Sequence, residues 1–307
     1  MGNHRHENGN DHKESQVAVV MVPLPAQGHL NQLLHLSRFV SAASIPVYYV
    51  GSARPSSGST AGTLPQQLTS ISKNSHQLLS ATLHLIPINP TNSRRSSFHL
   101  FVRPYISVTF YKFVAQLSSN FRRVVVIYDY LMSYVVQDIG SLQNTESYCL
   151  RCVPAFTVYS FHWEAAGRPD DVPAEATAVL KEIPGLDGVF SPDFDEFRRV
   201  QNGSRKIFSG DIYNSSRAID GGFYLDLVAE RKITGTEKLW AVGPFNPVVF
   251  PEKGGSRTRH ECLDWLDRQS PNSVIFVSFG TTSSLSNEKF KNWRMGWKEA
   301  SRSSYGW

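Results

Sequence analysis

The chain has 307 residues, 41% of them apolar, and carries 31 Lys and Arg against 26 Asp and Glu for a formal charge of +5. That length and apolar share suffice for a real core and for two domains of ordinary size, and they exclude disorder of the whole chain. The basic residues are scattered in pairs such as Arg94-Arg95, Arg122-Arg123 and Arg198-Arg199, with no basic helix or nucleic-acid motif, so no nucleic-acid partner is expected.

Residues 1–16 hold His4, His6 and His12 among Asn, Glu, Asp and Lys without apolar periodicity, and read as a solvated polar tail. Residues 17–22 are a β-branched run closed by Pro23-Leu24-Pro25, the pattern of a strand buried on both faces. A helix is predicted over 30–43, with Leu33, Leu34, Leu36, Phe39 and Val40 mostly on one face. A short strand at 47–50 precedes a Ser/Gly-rich loop at 52–62, a helix ending near Leu79 and a strand at 82–86. Residues 98–121 are helical in pattern, with Pro104 placed near the true start. Strands at 124–128 and 148–153 flank a helix over 131–139. Repeated β-α-β units of this kind imply a Rossmann-like parallel sheet with helices on both faces.

A Pro- and Gly-rich stretch at 247–259 reads as a linker, which makes 17–246 the first domain and 260–307 the start of a second. In that second part a short helix is predicted around Cys262 to Leu266, then an apolar strand at 274–279. No apolar run is long enough to span a bilayer, and the polar start lacks the order of a signal peptide, so a cytoplasmic protein without a membrane partner is expected. Three cysteines fit a reducing compartment. Cys149 and Cys152 form a C-x-x-C inside an apolar stretch, and buried strand cysteines are expected there rather than a metal or redox site. No metal site is expected elsewhere either.

Two residues stand where chemistry is expected. Ligands of open α/β sheets bind at the carboxyl ends of the strands, and His29 follows the first strand at the start of a helix. The positive end of that helix should lower its pKa and favour the neutral imidazole a general base needs. Asp129 follows the strand at 124–128, whose carboxyl end lies on the same side, and a carboxylate on one ring nitrogen would fix the tautomer. The alternatives are a helix N-cap for Asp129 and a simple polar loop position for His29. Only Gly28 is available for a glycine-rich turn after the first strand, which disfavours a nicotinamide cofactor. Neither a P-loop nor a G-x-S-x-G occurs.

The motifs PAQGHLNQLLHLS from Pro25, VVVIYDYLM from Val124, FTVYSFHWEAAGRP from Phe156, IYNSSRAID from Ile212, LWAVGPFNP from Leu239 and CLDWLDRQSPNSVIFVSFGTTSSLS from Cys262 occur in that order. In this the chain resembles the plant secondary-product UDP-glycosyltransferases, from about Val17 to about Glu288, and most of all their zeatin O-glucosyltransferase branch. The resemblance implies a GT-B-type α/β fold of two Rossmann-like domains, of which only the beginning of the second is present. It implies UDP-glucose or UDP-xylose as co-substrate, no permanently bound cofactor, and a small hydroxylated acceptor of the cytokinin kind. It gives His29 the proton of the acceptor hydroxyl, Asp129 the support of His29, and inversion at the anomeric carbon as UDP leaves. Gly28 and Thr281 become candidate contacts of the co-substrate. Tyr159, Phe161 and Trp163 become candidates for the acceptor pocket, a core role remaining open for each. The family's later signature for the sugar nucleotide is absent, and 289–307 depart from its pattern. The chain as written is therefore expected not to transfer sugar, the alternatives being a non-catalytic acceptor-binding module or a fragment of a misread gene.

Overall fold

The computed structural model describes residues 17–52, 79–83, 104–185, 188, 190–205, 208–245, 261–278, 287–289, 291–292 and 295. The polar tail, the loop at 52–62 beyond Ser52, most of the helix expected before Leu79, the linker at 247–259 and Thr281 lie outside them. Contacts divide the chain into two units, Met1–Asn246 and Pro247–Trp307.

The described residues of the first unit include seven strands: β1 (Val17–Val22), β2 (Val47–Ser52), β3 (Leu79–Leu83), β4 (Arg123–Asp129), β5 (Thr145–Arg151), β6 (Gly210–Tyr213) and β7 (Leu239–Ala241). All neighbours are parallel, in the order β3-β2-β1-β4-β5-β6-β7. Two-residue periodicity makes β1 a wall between two cores. Ala18, Val20 and Val22 join one cluster with Val124, Val126 and Tyr128 of β4, while Val19 and Met21 join another with Ile127 and Leu150. Each face is closed by a helix. Helix α1 (Gln27–Ala42) sets Leu33 into the second cluster, and α2 (Pro104–Asn120) sets Ile106, Phe110, Val114 and Leu117 into the first.

Helix α2 begins at Pro104, where a missing N–H costs nothing. Asn144 caps its far end, its side-chain amide donating to the carbonyls of Ser118 and Phe121, both at 2.9 Å. Helices α3 (Ser133–Val136), α4 (Ala155–Ala165), α5 (Ala174–Glu182), α6 (Pro192–Ser204) and α7 (Arg217–Glu230) are the other α-helices among the described residues of the unit. Tyr159 and Trp163 of α4 pack with Leu180 of α5 and Leu225 and Val228 of α7 in a third cluster.

Several expectations need correction. Leu79 does not end a helix: it starts β3, paired with Tyr48, and β3 begins three residues before the strand expected at 82–86. The helix expected over 131–139 is broken into a 3-10 turn at Tyr130–Met132, the single turn of α3 and another 3-10 turn at Ile139–Ser141. Phe39 is 45% exposed because it lies about 120° around α1 from Leu33, and Ser37 takes the buried place instead.

The second unit holds α8 (Glu261–Leu266). The strand expected at 274–279 is not formed across its described residues, and Ile275, Phe276 and Val277 are 58%, 88% and 40% exposed. A strand is a property of a pair, since its backbone groups are satisfied across a ladder, and apolar side chains alone do not supply one.

One buried ion pair had no sequence signal. Arg151 of β5 donates from Nε to Asp211 Oδ1 of β6 at 2.8 Å, with the two side chains 5% and 0% exposed. Burial opposes the charge on Arg151, but the surrounding anionic and phenolic groups, Asp211 among them, outweigh it and hold the guanidinium protonated. Among the described residues its Nη2 and the second Asp211 oxygen have no hydrogen-bond partner, and splitting the pair would leave one buried charge uncompensated. Asp211→Ala is expected to lower unfolding free energy by about 3–5 kcal/mol in urea titration. The double change Arg151→Met with Asp211→Leu should recover most of that loss; equal losses in both variants would show that the pairing is not what matters.

Candidate active site

Strand order reverses between β1 and β4, the crevice where open parallel sheets hold ligands. Val22 stands beside Tyr128 in the ladder, so the chain leaves both strands at one level. After β1 a Pro-rich turn leads into α1, which starts at Gln27, earlier than expected, and makes His29 a residue of its first turn. Asp129 is the last residue of β4. The two meet across 100 positions of sequence: His29 Nδ1 lies 2.6 Å from Asp129 Oδ2.

Asp129 is 1% exposed and His29 30%. A carboxylate only accepts, so Nδ1 carries the hydrogen and the lone pair of neutral His29 is on Nε2. Asp129 is also the cap of the 3-10 turn that follows it, Oδ1 accepting from the Leu131 amide at 2.9 Å. The two roles proposed for Asp129 are thus compatible, one oxygen for each. A third donor, not foreseen, is the Cys152 thiol, 3.1 Å from Oδ2. Because β5 stops at Arg151 rather than at 153, Cys152 stands on the carboxyl edge of the sheet; the rule that singled out Asp129 applies to it once the strand end is known.

Helix α1 is held on both flanks. The Tyr49 hydroxyl of β2 donates to the Leu30 carbonyl at 2.8 Å. Gln32, nearly one turn after His29, donates to the Cys152 carbonyl at 3.2 Å and accepts from Asn214 at 2.8 Å, while the Phe245 amide donates to Asn214 at 2.7 Å. Neither Gln32 nor Asn214 was singled out from the sequence, and a polar residue at 32 beside Leu33 and Leu34 is the only trace of that role.

The electrostatics correct one expectation. Burial does lower the His29 pKa, but the hydrogen bond to Asp129 and its charge together outweigh burial, and the net shift is upward from 6.5. Burial, then the charge of Asp129 and the hydrogen bond to it, push the Cys152 thiol far up, so it stands as a neutral donor. Cys149, one face away in the strand, is wholly buried and pushed up to about 12. Both cysteines of the C-x-x-C are free thiols. Among the described residues, His29, Asp129 and Cys152 form a group of three side chains able to hold a metal ion.

The other candidate residues are not gathered here. Gly28 is exposed in the first turn of α1, with open space where a Cβ would stand. Tyr159 and Trp163 are 2% and 7% exposed, core residues of the third cluster that also wall a cleft of about 300 Å³ with His162, Asp171 and Arg231. Neither His29 nor Asp129 lines that cleft. Helix α4 starts just after β5 and carries Trp163 roughly 12 Å along its axis from the sheet edge. Phe161 packs edge-on to Phe190, ring centroids 6.4 Å apart.

Residues 15–247 match the family described as glycosyltransferase, N-terminal domain. The chain belongs to this family. It is 36% identical to the zeatin O-glucosyltransferase of Phaseolus lunatus over 302 residues, covering 96% of this chain and 62% of that protein. With the zeatin O-xylosyltransferase of Phaseolus vulgaris it shares 33% over 308 residues, 96% and 63%. The glycosyltransferase fold is also seen in Medicago truncatula UGT71G1 complexed with UDP-glucose (TM-score 0.64, 15% identity, 94% of this chain and 65% of that one). A Siraitia grosvenorii UGT transferase in complex with UDP gives 0.63 at 18% identity, with 94% and 61% covered. The chain thus spans less than two thirds of the length of these relatives. Its sheet and crevice are those of the Rossmann-like N-terminal domain of the GT-B type. Among the described residues no helix is long and apolar enough to cross a membrane.

A histidine raised by a partner contributes stability that is complete below the unfolded value of 6.5 and is lost as pH rises through the folded midpoint. An NMR titration of the His29 ring should give a midpoint above 6.5, and Asp129→Asn, which leaves burial alone to act, should bring it below 6.5. The stability difference between the two proteins should shrink as pH rises through the wild-type midpoint. An unmoved midpoint in Asp129→Asn would show that the carboxylate does not control the imidazole.

Proposed function

We propose that the chain is the acceptor-binding part of an inverting UDP-sugar-dependent O-glycosyltransferase whose acceptor is zeatin or a similar hydroxylated small molecule. The observation that carries this reading is the 2.6 Å contact of His29 Nδ1 with a buried carboxylate at the crevice of a glycosyltransferase fold. With Nδ1 engaged, Nε2 is the nitrogen left to take the proton of an acceptor hydroxyl, and Asp129 stabilises the imidazolium as the charge develops. The oxygen then attacks the anomeric carbon, the sugar–phosphate bond breaks, and UDP departs with the electron pair. The raised pKa means that the neutral, competent base becomes dominant only as pH rises past the His29 midpoint.

Zeatin as acceptor, and glucose or xylose as the transferred sugar, rest on the names of the similar proteins, and a UDP-sugar donor on the family resemblance and the UDP-glucose complex of the Medicago truncatula structure. Gly28 and Thr281 are proposed contacts of the co-substrate and Phe161 of the acceptor, while Tyr159 and Trp163 take the core role that the sequence left open for them. Division into residues 17–246, a linker at 247–259 and the start of a donor-binding domain at 260–307 belongs to the same reading, as does a cytoplasmic location.

A second reading is that these residues, which span 62% of the Phaseolus lunatus relative, bind acceptor without transferring sugar. A general base supplies only about 10²–10⁴-fold, whereas fixing donor and acceptor together supplies roughly 7–11 kcal/mol. Calorimetric titration with trans- and cis-zeatin should show saturable binding to the purified chain, and incubation with UDP-glucose should yield no glucoside. Glucoside formation that His29→Ala lowers by about 10²–10⁴-fold would overturn the second reading and keep the first. Absence of binding to any hydroxylated apolar acceptor would remove both.

A further inference from the structure

The His29, Asp129 and Cys152 ligand atoms all lie within 4.8 Å of one another, at the ends of three adjacent strands. We propose that this cluster is a binding site for a thiophilic divalent cation such as Zn²⁺, and that the cation occupies it in place of the two hydrogens that His29 and Cys152 direct at Asp129. The site stands on geometry and ligand chemistry; only its consequence for proton transfer rests on the function proposed above.

Bond lengths of about 2.0–2.3 Å place the ligand atoms of a tetrahedral zinc centre roughly 3.3–3.7 Å apart. The present separations, 2.6 Å from His29 Nδ1 to Asp129 Oδ2 and 3.1 Å from Cys152 Sγ to the same oxygen, need only a modest opening. One nitrogen, one carboxylate oxygen and one sulfur form a set that suits zinc and excludes Mg²⁺ and Ca²⁺, which demand oxygen. The charges also balance. A carboxylate and a thiolate neutralise a 2+ ion, so the buried centre carries no net charge and avoids the desolvation cost of a lone ion. His29 is 30% exposed and Cys152 is partly exposed, which gives the cation a way in and leaves the fourth position open to water.

Uptake releases one proton, that of the Cys152 thiol, to solvent. The cation also takes the Nδ1 lone pair, so the hydrogen of neutral His29 moves by solvent exchange to Nε2. The nitrogen proposed to accept the substrate's proton is then already protonated, and the ion acts as a reversible block of the base. Cys152 is the residue that makes this possible, since a His-Asp pair by itself offers only two ligands.

Cobalt(II) reads the site without any need for catalysis, because thiolate ligation gives a charge-transfer band that histidines alone, including those at 4, 6 and 12, cannot produce. Titrating Co²⁺ into the purified 307-residue chain at neutral pH should give such a band saturating at one equivalent, displaced by Zn²⁺ and unaffected by Mg²⁺. Cys152→Ser should abolish it, Cys262→Ser should leave it unchanged, and His29→Ala, altering a partly exposed side chain, should weaken binding by at least roughly tenfold. No band in the wild type, a band that survives Cys152→Ser in a chain with unchanged circular dichroism, or unaltered affinity in His29→Ala would each overturn the proposal. These results are independent of zeatin binding, so failure here and failure of the proposed function are told apart.

Discussion

The parallel pairing of β1 with β4 is the constraint on which the site depends. It joins two segments about 100 residues apart in register, Val17 beside Arg123 through Val22 beside Tyr128, and obliges both to leave the sheet at one edge. At that edge the strand order reverses, so the connections diverge and a crevice opens. His29 and Asp129 then meet as a consequence of topology. The apolar alternation in β1, which feeds a separate core on each face, holds the pair of strands in place.

Two buried acid–base pairs show why one is suited to chemistry and the other to architecture. Arg151 and Asp211 are both sealed, and a guanidinium that never loses its proton has nothing to exchange with a ligand. In His29–Asp129 only the carboxylate is sealed, while the imidazole is partly open and can both gain and lose a proton, its pKa raised by the carboxylate beside it. Three donors converge on Asp129: the His29 ring, the Leu131 amide and the Cys152 thiol. Together they offset the cost of burying its charge and fix the direction in which the imidazole is held. The anchoring of α1 by Tyr49 and Gln32 serves the same end, since a small shift of that helix would open the 2.6 Å contact.

The second unit makes a complementary point. Residues 274–278 have the composition of a buried strand, yet they form no strand and are exposed at Ile275, Phe276 and Val277. Apolar character makes burial favourable but does not supply the neighbour against which burial occurs.

The sequence by itself determined whatever depends on local pattern. Strands β1, β2 and β4 lie within about two residues of their expected bounds, Pro104 opens α2, and His29 and Asp129 follow from the rule that strand ends carry sites. These are legible because periodicity and breakers are written in consecutive residues. Only the tertiary structure decided that Cys152 joins the pair, that Gln32 and Asn214 tie α1 to β5 and β6, that Arg151 finds Asp211, and that Tyr159 and Trp163 serve a core away from the His29 crevice. It also set the sign of the His29 shift, because that sign is a contest between desolvation and a carboxylate 100 residues away. Such a contest is settled by strand register and burial, neither of which is written in any local stretch of the chain.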